Sequence, residues 1–242
     1  MTKRILILVL GLCAMASSAA QNNDFLSDYS QLKETKGENQ AVKLKYEVPE
    51  NVRRMADYTA ILVDQPEIFI AADSKYRGAK GDQLKQLADV ARLALLERLE
   101  ANGITVAYEP GPDVLYLRWA ITDLYLKKKK RGLLSYTPIG MVVHTTKQAA
   151  VRDMWKKINI VEFAVEMESS DLVTGEILIA VVSRKQGLRK EKGQEEDIVT
   201  WQELDALFST LGERLVCGLQ NSRKGASSFV DCRTIWIEPE TG

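Results

Sequence analysis

The residues best suited to acid–base chemistry are carboxylates that recur along one stretch of the chain. Glu162, Glu166 and Glu168 alternate with apolar residues, and Asp171 and Glu176 follow them. Alternate residues of a strand lie on one face about 7 Å apart, a separation at which paired carboxylates can hydrolyse glycosidic bonds. The same pattern is typical of a solvated strand face, which we favour. A cation or partner contact is the second interpretation, and catalysis is the third.

Other catalytic or metal-binding sets are missing from the sequence. His144 is the single histidine, and no Gly-x-Ser-x-Gly motif accompanies it. A Ser–His–Asp or Cys–His site would depend on this residue, and a zinc site would lack ligands. No EF-hand, phosphate-binding loop or dinucleotide fingerprint occurs either. We therefore predict no catalytic residue, no cofactor and no metal, and we predict that the protein is not an enzyme.

The first twenty residues have the pattern of a secretory signal peptide. Lys3 and Arg4 precede the apolar run 5–15, and the small residues 16–20 follow it. This order is typical of a signal that is cleaved after a small residue, so we predict cleavage before Gln21 and a periplasmic location.

A lipoprotein address is the alternative at this end of the chain. Cys13 follows the apolar core, as an acylated cysteine would, but Leu12 stands where a small residue is expected. The alternative product would be an outer-membrane lipoprotein anchored at Cys13.

The two remaining cysteines, Cys217 and Cys232, are candidates for a disulfide in an exported protein. The loop that they would close spans about 15 residues, which is worth roughly 3 kcal/mol in the chain-entropy model. The alternative is two separate buried thiols.

The charge balance argues against nucleic acid as a partner. The chain of 242 residues has 33 basic and 33 acidic side chains, whereas nucleic-acid-binding domains are usually strongly basic. No second apolar run reaches the length of about 20 residues that a membrane span needs, so we predict no transmembrane span in the mature chain.

One local charge run is a candidate contact surface for an anionic lipid, an envelope surface or an acidic partner. It consists of Lys127, Lys128, Lys129, Lys130 and Arg131. The alternative interpretation is the solvated tip of a hairpin.

These residues require a scaffold, and hydrophobic periodicity predicts it. Apolar residues recur at helical spacing over 84–99, and Thr200 with Glu203 forms a capping box that opens a second long helix. Strand patterns lie between and before them, including a hairpin over 160–183. The predicted fold is α+β: a mostly antiparallel sheet with two long helices packed on one face. The predicted organisation is a signal peptide 1–20, an extended arm 21–57 and a single domain 58–242.

Several short motifs resemble a bacterial envelope family known as domain of unknown function 3313. They are the segment Phe25–Leu32, the segments Pro110–Leu115 and Arg118–Leu124, the residues Glu166-Met167-Glu168 with Asp171, the segment Thr174–Leu178, and Trp201. Members are commonly described as candidate lipoproteins, and the poor Cys13 context departs from that pattern. The resemblance implies an envelope protein and brings no catalytic residues.

Together these features predict an exported, non-enzymatic accessory or interaction domain whose partner is an unknown envelope protein or surface. A periplasmic binder of a glycan or lipid is the alternative, and a carboxylate-dependent hydrolase is the third hypothesis.

Overall fold

The structure is a computed structural model that describes residues 25–36, 41–47, 54–128, 158–185, 199, 201–224, 228, 230–232, 235 and 237. Its eight strands are β1 Lys33–Lys36, β2 Ala41–Glu47, β3 Ala60–Val63, β4 Glu67–Ile70, β5 Thr105–Val106, β6 Val114–Lys128, β7 Ile158–Asp171 and β8 Ile177–Lys185. The α-helices are α1, Gly81–Ala101, and α2, Trp201–Ser222, and a short 3₁₀ helix spans Met55–Asp57.

The eight strands form one sheet in the order β1-β2-β8-β7-β6-β3-β5, and β4 also pairs with β6. The pairs from β1 to β6 are antiparallel, whereas β3 and β4 run parallel to β6 and β5 runs parallel to β3. The α+β class is therefore confirmed, but the prediction of a mostly antiparallel sheet is wrong because the sheet is mixed. Helix α1 explains part of the difference: it returns the chain between β4 and β5, so β5 starts at the same end as β3.

Strand β6 lies centrally and is buried on both faces. Its first face carries Leu115, Leu117, Trp119 and Ile121, and its second face carries Arg118, Ala120 and Thr122. Asp123 adopts φ 51°, and the register with β7 shifts between Thr122 and Tyr125. This bulge places Leu124 with the first-face core and Tyr125 in a separate cluster with Ala71 and Val161.

The main hydrophobic core lies against the first face. Side chains of both helices belong to it, including Leu95 of α1 and Phe208 of α2, together with Trp119 and Phe163. The rings of Trp119 and Phe208 meet edge to face with centroids 6.3 Å apart. Helix α1 ends where Gly103 adopts φ 72°, the left-handed conformation that the Asn-Gly pair in the sequence predicts.

The N-terminal segment that the sequence separates as an arm contributes directly to the sheet. Strand β2 pairs with β8 along its whole length, and β1 pairs with β2. Residues 25–32, which precede β1, lie on the second face, where Phe25 and Leu26 share a cluster with Ala120 and Ala180.

Candidate functional site

Two carboxylates on the second face of the sheet, Glu166 and Glu168, are buried. Their residues are only 4% and 5% exposed. Both lie on β7, where alternation with Val165 and Met167 directs them away from the main core. The prediction of a solvated strand face is therefore wrong at these two positions, because residues 25–32 cover them. We call this covering segment the strap.

Glu166 is held by two hydroxyl donors from different parts of the chain. Tyr29 Oη of the strap donates to one carboxylate oxygen over 2.6 Å. Thr122 Oγ1 of β6, which is fully buried, donates to the other over 2.8 Å. Both oxygens therefore have a protein donor, which is the condition for burying an ionised group at acceptable cost.

Glu168 binds the strap at Ser27. The backbone N–H of Ser27 donates to one carboxylate oxygen over 2.8 Å, and the Ser27 hydroxyl donates to the other over 2.8 Å. Arg118 on β6 lies 4.0 Å from the same carboxylate and adds a cationic neighbour.

Arg118 also holds the first residue of the strap. Its guanidinium donates to the carbonyl oxygen of Phe25 and lies 4.3 Å from the centroid of the Phe25 ring. Phe25 also meets Phe69 of β4 edge to face at 6.3 Å. The strap is thus recognised through its backbone and its side chains together.

Tyr29 links the first two residues of the strap to Glu166. Its hydroxyl oxygen accepts hydrogen bonds from the backbone N–H groups of Phe25 and Leu26, over 3.0 and 3.1 Å, while it donates to Glu166. Burial, together with the bond to Glu166, raises the pKa of Tyr29 to about 12. The phenol therefore remains a protonated donor across the physiological range.

The other predicted acidic residues belong to a different place. Asp171 ends β7 and accepts from Tyr58 Oη over 2.6 Å, and Glu176 pairs with Arg54 at 2.5 Å. The hydrogen bond from Tyr58, followed by the backbone N–H of Thr174, lowers the pKa of Asp171 to about 2. Glu162 lies at the register shift opposite Tyr125 and is half-buried.

The predicted basic contact surface falls partly within the described chain. Lys127 and Lys128 end β6, and Lys128 is exposed. Lys129, Lys130, Arg131 and His144 lie outside the described residues.

Cys217 and Cys232 form a disulfide in the structure, with Cα atoms 5.7 Å apart and a sequence separation of 15. The bond holds the C-terminal residues on α2, where Asn221 also donates to the carbonyl oxygen of Val230 over 2.7 Å. A cavity of about 150 Å³ adjoins the bond and is lined in part by Glu213 and Lys224. It is smaller than the roughly 300–1,000 Å³ of typical ligand pockets.

Sequence reasoning does not predict that the strap covers the carboxylates of β7. Phe25, Leu26, Tyr29 and Leu32 stand out as apolar anchors in a polar stretch. Their spacing is compatible with a helix, but the segment forms bends and a turn instead, so periodicity does not signal what they cover.

Metal and membrane sites are not found within the described ranges. No three His, Cys, Asp or Glu side chains there are placed to hold a metal ion. No described helix combines the length and apolar character needed to cross a membrane.

Comparison with known proteins gives one family match and several distant structures. A family model described as "Protein of unknown function (DUF3313)" matches residues 21–215. Two crystal forms of the PelC dodecamer from Paraburkholderia phytofirmans match at 12% and 13% identity, each with a TM-score of 0.37 over 74% of this chain and 97% of that one. A DUF4136 family protein from Bacteroides thetaiotaomicron matches at 13% identity and a TM-score of 0.30, over 61% of this chain and 84% of that one. No curated protein matches.

Proposed function

Because the chain belongs to DUF3313, a family described only as proteins of unknown function, its role must be argued from its own residues, and we propose that it is an exported, non-enzymatic interaction domain of the bacterial cell envelope. The observation that carries this proposal is the state of the β7 carboxylates. All four oxygens of Glu166 and Glu168 accept hydrogen bonds from the chain itself.

A carboxylate that acts as a general acid or base needs to reach a proton of the substrate within hydrogen-bonding distance. Glu166 and Glu168 instead bind the strap, and both are buried beneath it. The acidic residues that most favoured a hydrolase in the sequence thus serve to hold one chain segment against a sheet. This arrangement supports a role in binding over a role in hydrolysis.

Two observations support the envelope location. The basic, apolar and small-residue order of residues 1–20 is typical of a secretory signal. The disulfide between Cys217 and Cys232 suits an oxidising compartment such as the bacterial periplasm.

The experiment that tests the proposal is capture of partners from living cells. Growing cells that express the tagged full chain are cross-linked, and the protein is purified from the envelope fraction under denaturing conditions. We expect a stoichiometric envelope partner. Recovery of the chain alone, monomeric and without partners, contradicts the proposal and favours the small-ligand alternative.

A second arm of the same experiment tests the basic run. Lys127–Arg131 is neutralised in one variant, and the exposed Lys85 and Lys224 are neutralised in a control variant. Loss of the partner only in the first variant assigns the contact to the basic run. Equal capture by both variants removes that run from the interface.

The hydrolase hypothesis makes the opposite prediction for the carboxylates. Glu162 and Glu166 are replaced together by Gln, and the cellular phenotype of the deletion strain is used as the readout. Complementation by the double variant would exclude the hydrolase. Failure of a folded, exported double variant that still captures the envelope partner would revive it.

A further inference from the structure

The strap lies on the second face in the manner of a bound peptide. Phe25 and Leu26 are 2% and 4% exposed, and they share a cluster with the small side chains Ala120, Ala180 and Val182. The polar contacts of the strap with the sheet join residues 93 to 141 positions apart in sequence. The sheet therefore supplies an apolar floor with fixed polar groups, which we call the groove.

Recognition by the groove includes main-chain atoms. Arg118 donates to the Phe25 carbonyl oxygen, and Glu168 accepts from the Ser27 N–H. Peptide-binding surfaces combine such main-chain bonds with pockets for particular side chains. Here the side-chain contacts are the Phe25 ring beneath Arg118 and the Tyr29 hydroxyl on Glu166.

Within the described residues, the strap is continuous with the sheet at one end only. It continues directly into β1 at Lys33, so release requires a change only near Leu32. The turn there is closed by one backbone hydrogen bond, from the Leu32 N–H to the Tyr29 carbonyl over 3.2 Å. With cleavage before Gln21, four residues would precede Phe25.

The balance between bound and released strap is set by opposing terms. Release exposes Phe25 and Leu26 and breaks the bonds to the carboxylates. It also returns conformational freedom to eight residues and water to Glu166 and Glu168, and buried carboxylates carry a large desolvation cost. A segment held in this way can be displaced by a competitor that makes the same contacts.

We propose that the groove is a peptide-binding site and that the strap is its built-in competitor. Its external ligand is a protein segment that turns back on itself as the strap does. It carries an aromatic and aliphatic pair, followed by hydroxyl donors two and four residues after the aromatic residue, as Ser27 and Tyr29 follow Phe25. This inference rests on the proposed function, because it names the surface by which an interaction domain would take its partner.

The experiment uses the full mature chain and a fluorescein-labelled synthetic peptide of residues 21–32 as the probe. Binding is measured by fluorescence anisotropy on the wild-type chain, on Phe25→Ala/Leu26→Ala, and on Tyr29→Phe, a milder change. Both variants weaken the strap and leave the groove intact. We expect the labelled peptide to bind each variant at least ten-fold more tightly than the wild type.

Two controls separate the groove from general loosening. Tyr108→Phe removes a phenol hydroxyl from a side chain that is 75% exposed, and it should leave peptide affinity at the wild-type value. Glu168→Ala, added to Phe25→Ala/Leu26→Ala, removes the acceptor for Ser27 and should lower peptide affinity at least ten-fold. Circular dichroism and cooperative urea unfolding establish that each variant is folded.

Three results would overturn the proposal. The first is no peptide binding to either folded strap variant, and the second is binding that Glu168→Ala leaves unchanged. The third is hydrogen exchange in the wild-type chain at residues 25–32 that occurs only with global unfolding. Envelope capture uses no peptide, so it tests the proposed function separately from the groove. Capture of the partner by Glu168→Ala would leave the interaction domain standing with a different surface.

Discussion

The two faces of the sheet show two different solutions to covering the same strands. On the first face, Trp119 and Phe163 belong to a large apolar core that includes side chains of both helices. On the second face, Glu166 and Glu168 lie among small apolar residues under an eight-residue strap. Alternation along β6 and β7 determines which residues share a face. The part of the chain that covers each face determines whether a polar residue there is solvated or buried.

The two faces should also differ in how much the free energy of unfolding falls when one contact is removed. Apolar packing in a continuous core leaves a cavity when a side chain is removed, because the surroundings collapse only in part. A polar contact beneath a strap can instead be replaced by water once the strap moves. The predictions below test this contrast.

The largest effect is expected on the first face, from Trp119→Ala. Trp119 is 2% exposed, packs on Phe208, and donates from Nε1 to the carbonyl oxygen of Asp64 over 3.0 Å. Removal of such a side chain should lower the free energy of unfolding by about 3–5 kcal/mol in urea denaturation. Leu93→Ala, at a side chain 38% exposed on α1, is the control and should cost less than about 1 kcal/mol. Equal losses for the two variants would contradict the burial of Trp119 in the main core.

A smaller effect is expected on the second face, from Glu166→Ala. The substitution strands the hydroxyls of Tyr29 and Thr122, and hydrogen bonds to charged groups are worth about 1.5–3 kcal/mol each. Because the strap can open and admit water, we expect a global loss of only about 2 kcal/mol in urea denaturation, near the lower end for one such bond.

Hydrogen exchange sharpens this second test. In Glu166→Ala, exchange at residues 25–32 should rise much more than exchange in β7, while Glu97→Ala, at an exposed glutamate of α1, should change neither. A loss as large as that of Trp119→Ala, with uniform exchange, would mean that the second face is as cooperative as the first.

The sequence predicts the first face well because its signals are local. Leu84–Leu99 gives the period of α1, and Asn102-Gly103 gives its end. The mostly apolar residues 114–126 indicate a central strand. Each of these features depends on residues that are neighbours in sequence, so periodicity and turn chemistry are sufficient to find it.

The second face was harder to predict because its determinants are distant in sequence. Glu168 and Ser27 are 141 residues apart, and nothing near Glu168 signals that a serine will cover it. Val161 is a related case: strict alternation groups it with Phe163, but the register shift near Glu162 places it with Tyr125 instead. The mixed sheet is a further case. Helix α1 carries the chain back so that β5 runs parallel to β3, and the pattern of apolar residues within a strand does not specify its direction in the sheet.

A third prediction tests how tightly α1 and α2 approach each other. A Cβ on Gly212 of α2 would lie 2.8 Å from the Cβ of Arg98 on α1, whereas a Cβ on Gly218 would meet no described atom within 4 Å. Alanine gains about 1 kcal/mol over glycine in a helix. Gly218→Ala should therefore stabilise the protein by about 0.5–1 kcal/mol, and Gly212→Ala should destabilise it by about 1–2 kcal/mol through overpacking. Similar unfolding midpoints for the two variants would contradict the close approach of the helices.

The smallest effect concerns Asp171, at the turn end of the sheet. The bond from Tyr58 is the main cause that holds the pKa of Asp171 at about 2, below its ordinary 3.8. The folded state thus favours the carboxylate, and this contribution to stability is present above pH 3.8 and lost as the pH falls towards 2. Tyr58→Phe removes that bond and should raise the pKa of Asp171 towards 3.8. Backbone N–H donors from Val173 and Thr174 remain and should keep it somewhat below that value.

Carbon-detected NMR titration of the Asp171 carboxyl group measures this shift directly, with Tyr108→Phe as the control for loss of a phenol hydroxyl. Tyr58→Phe should also flatten the dependence of stability on pH between 4 and 2, because the pKa values of Asp171 in the folded and unfolded states become more alike. At the alkaline end, burial and the bond to Asp171 raise the pKa of Tyr58 to about 12, so its own contribution is present below pH 10 and lost as the pH rises through 12. An Asp171 pKa unmoved by Tyr58→Phe would mean that the turn N–H groups alone fix this carboxylate, and that the end of the sheet, unlike its second face, does not depend on a distant hydroxyl.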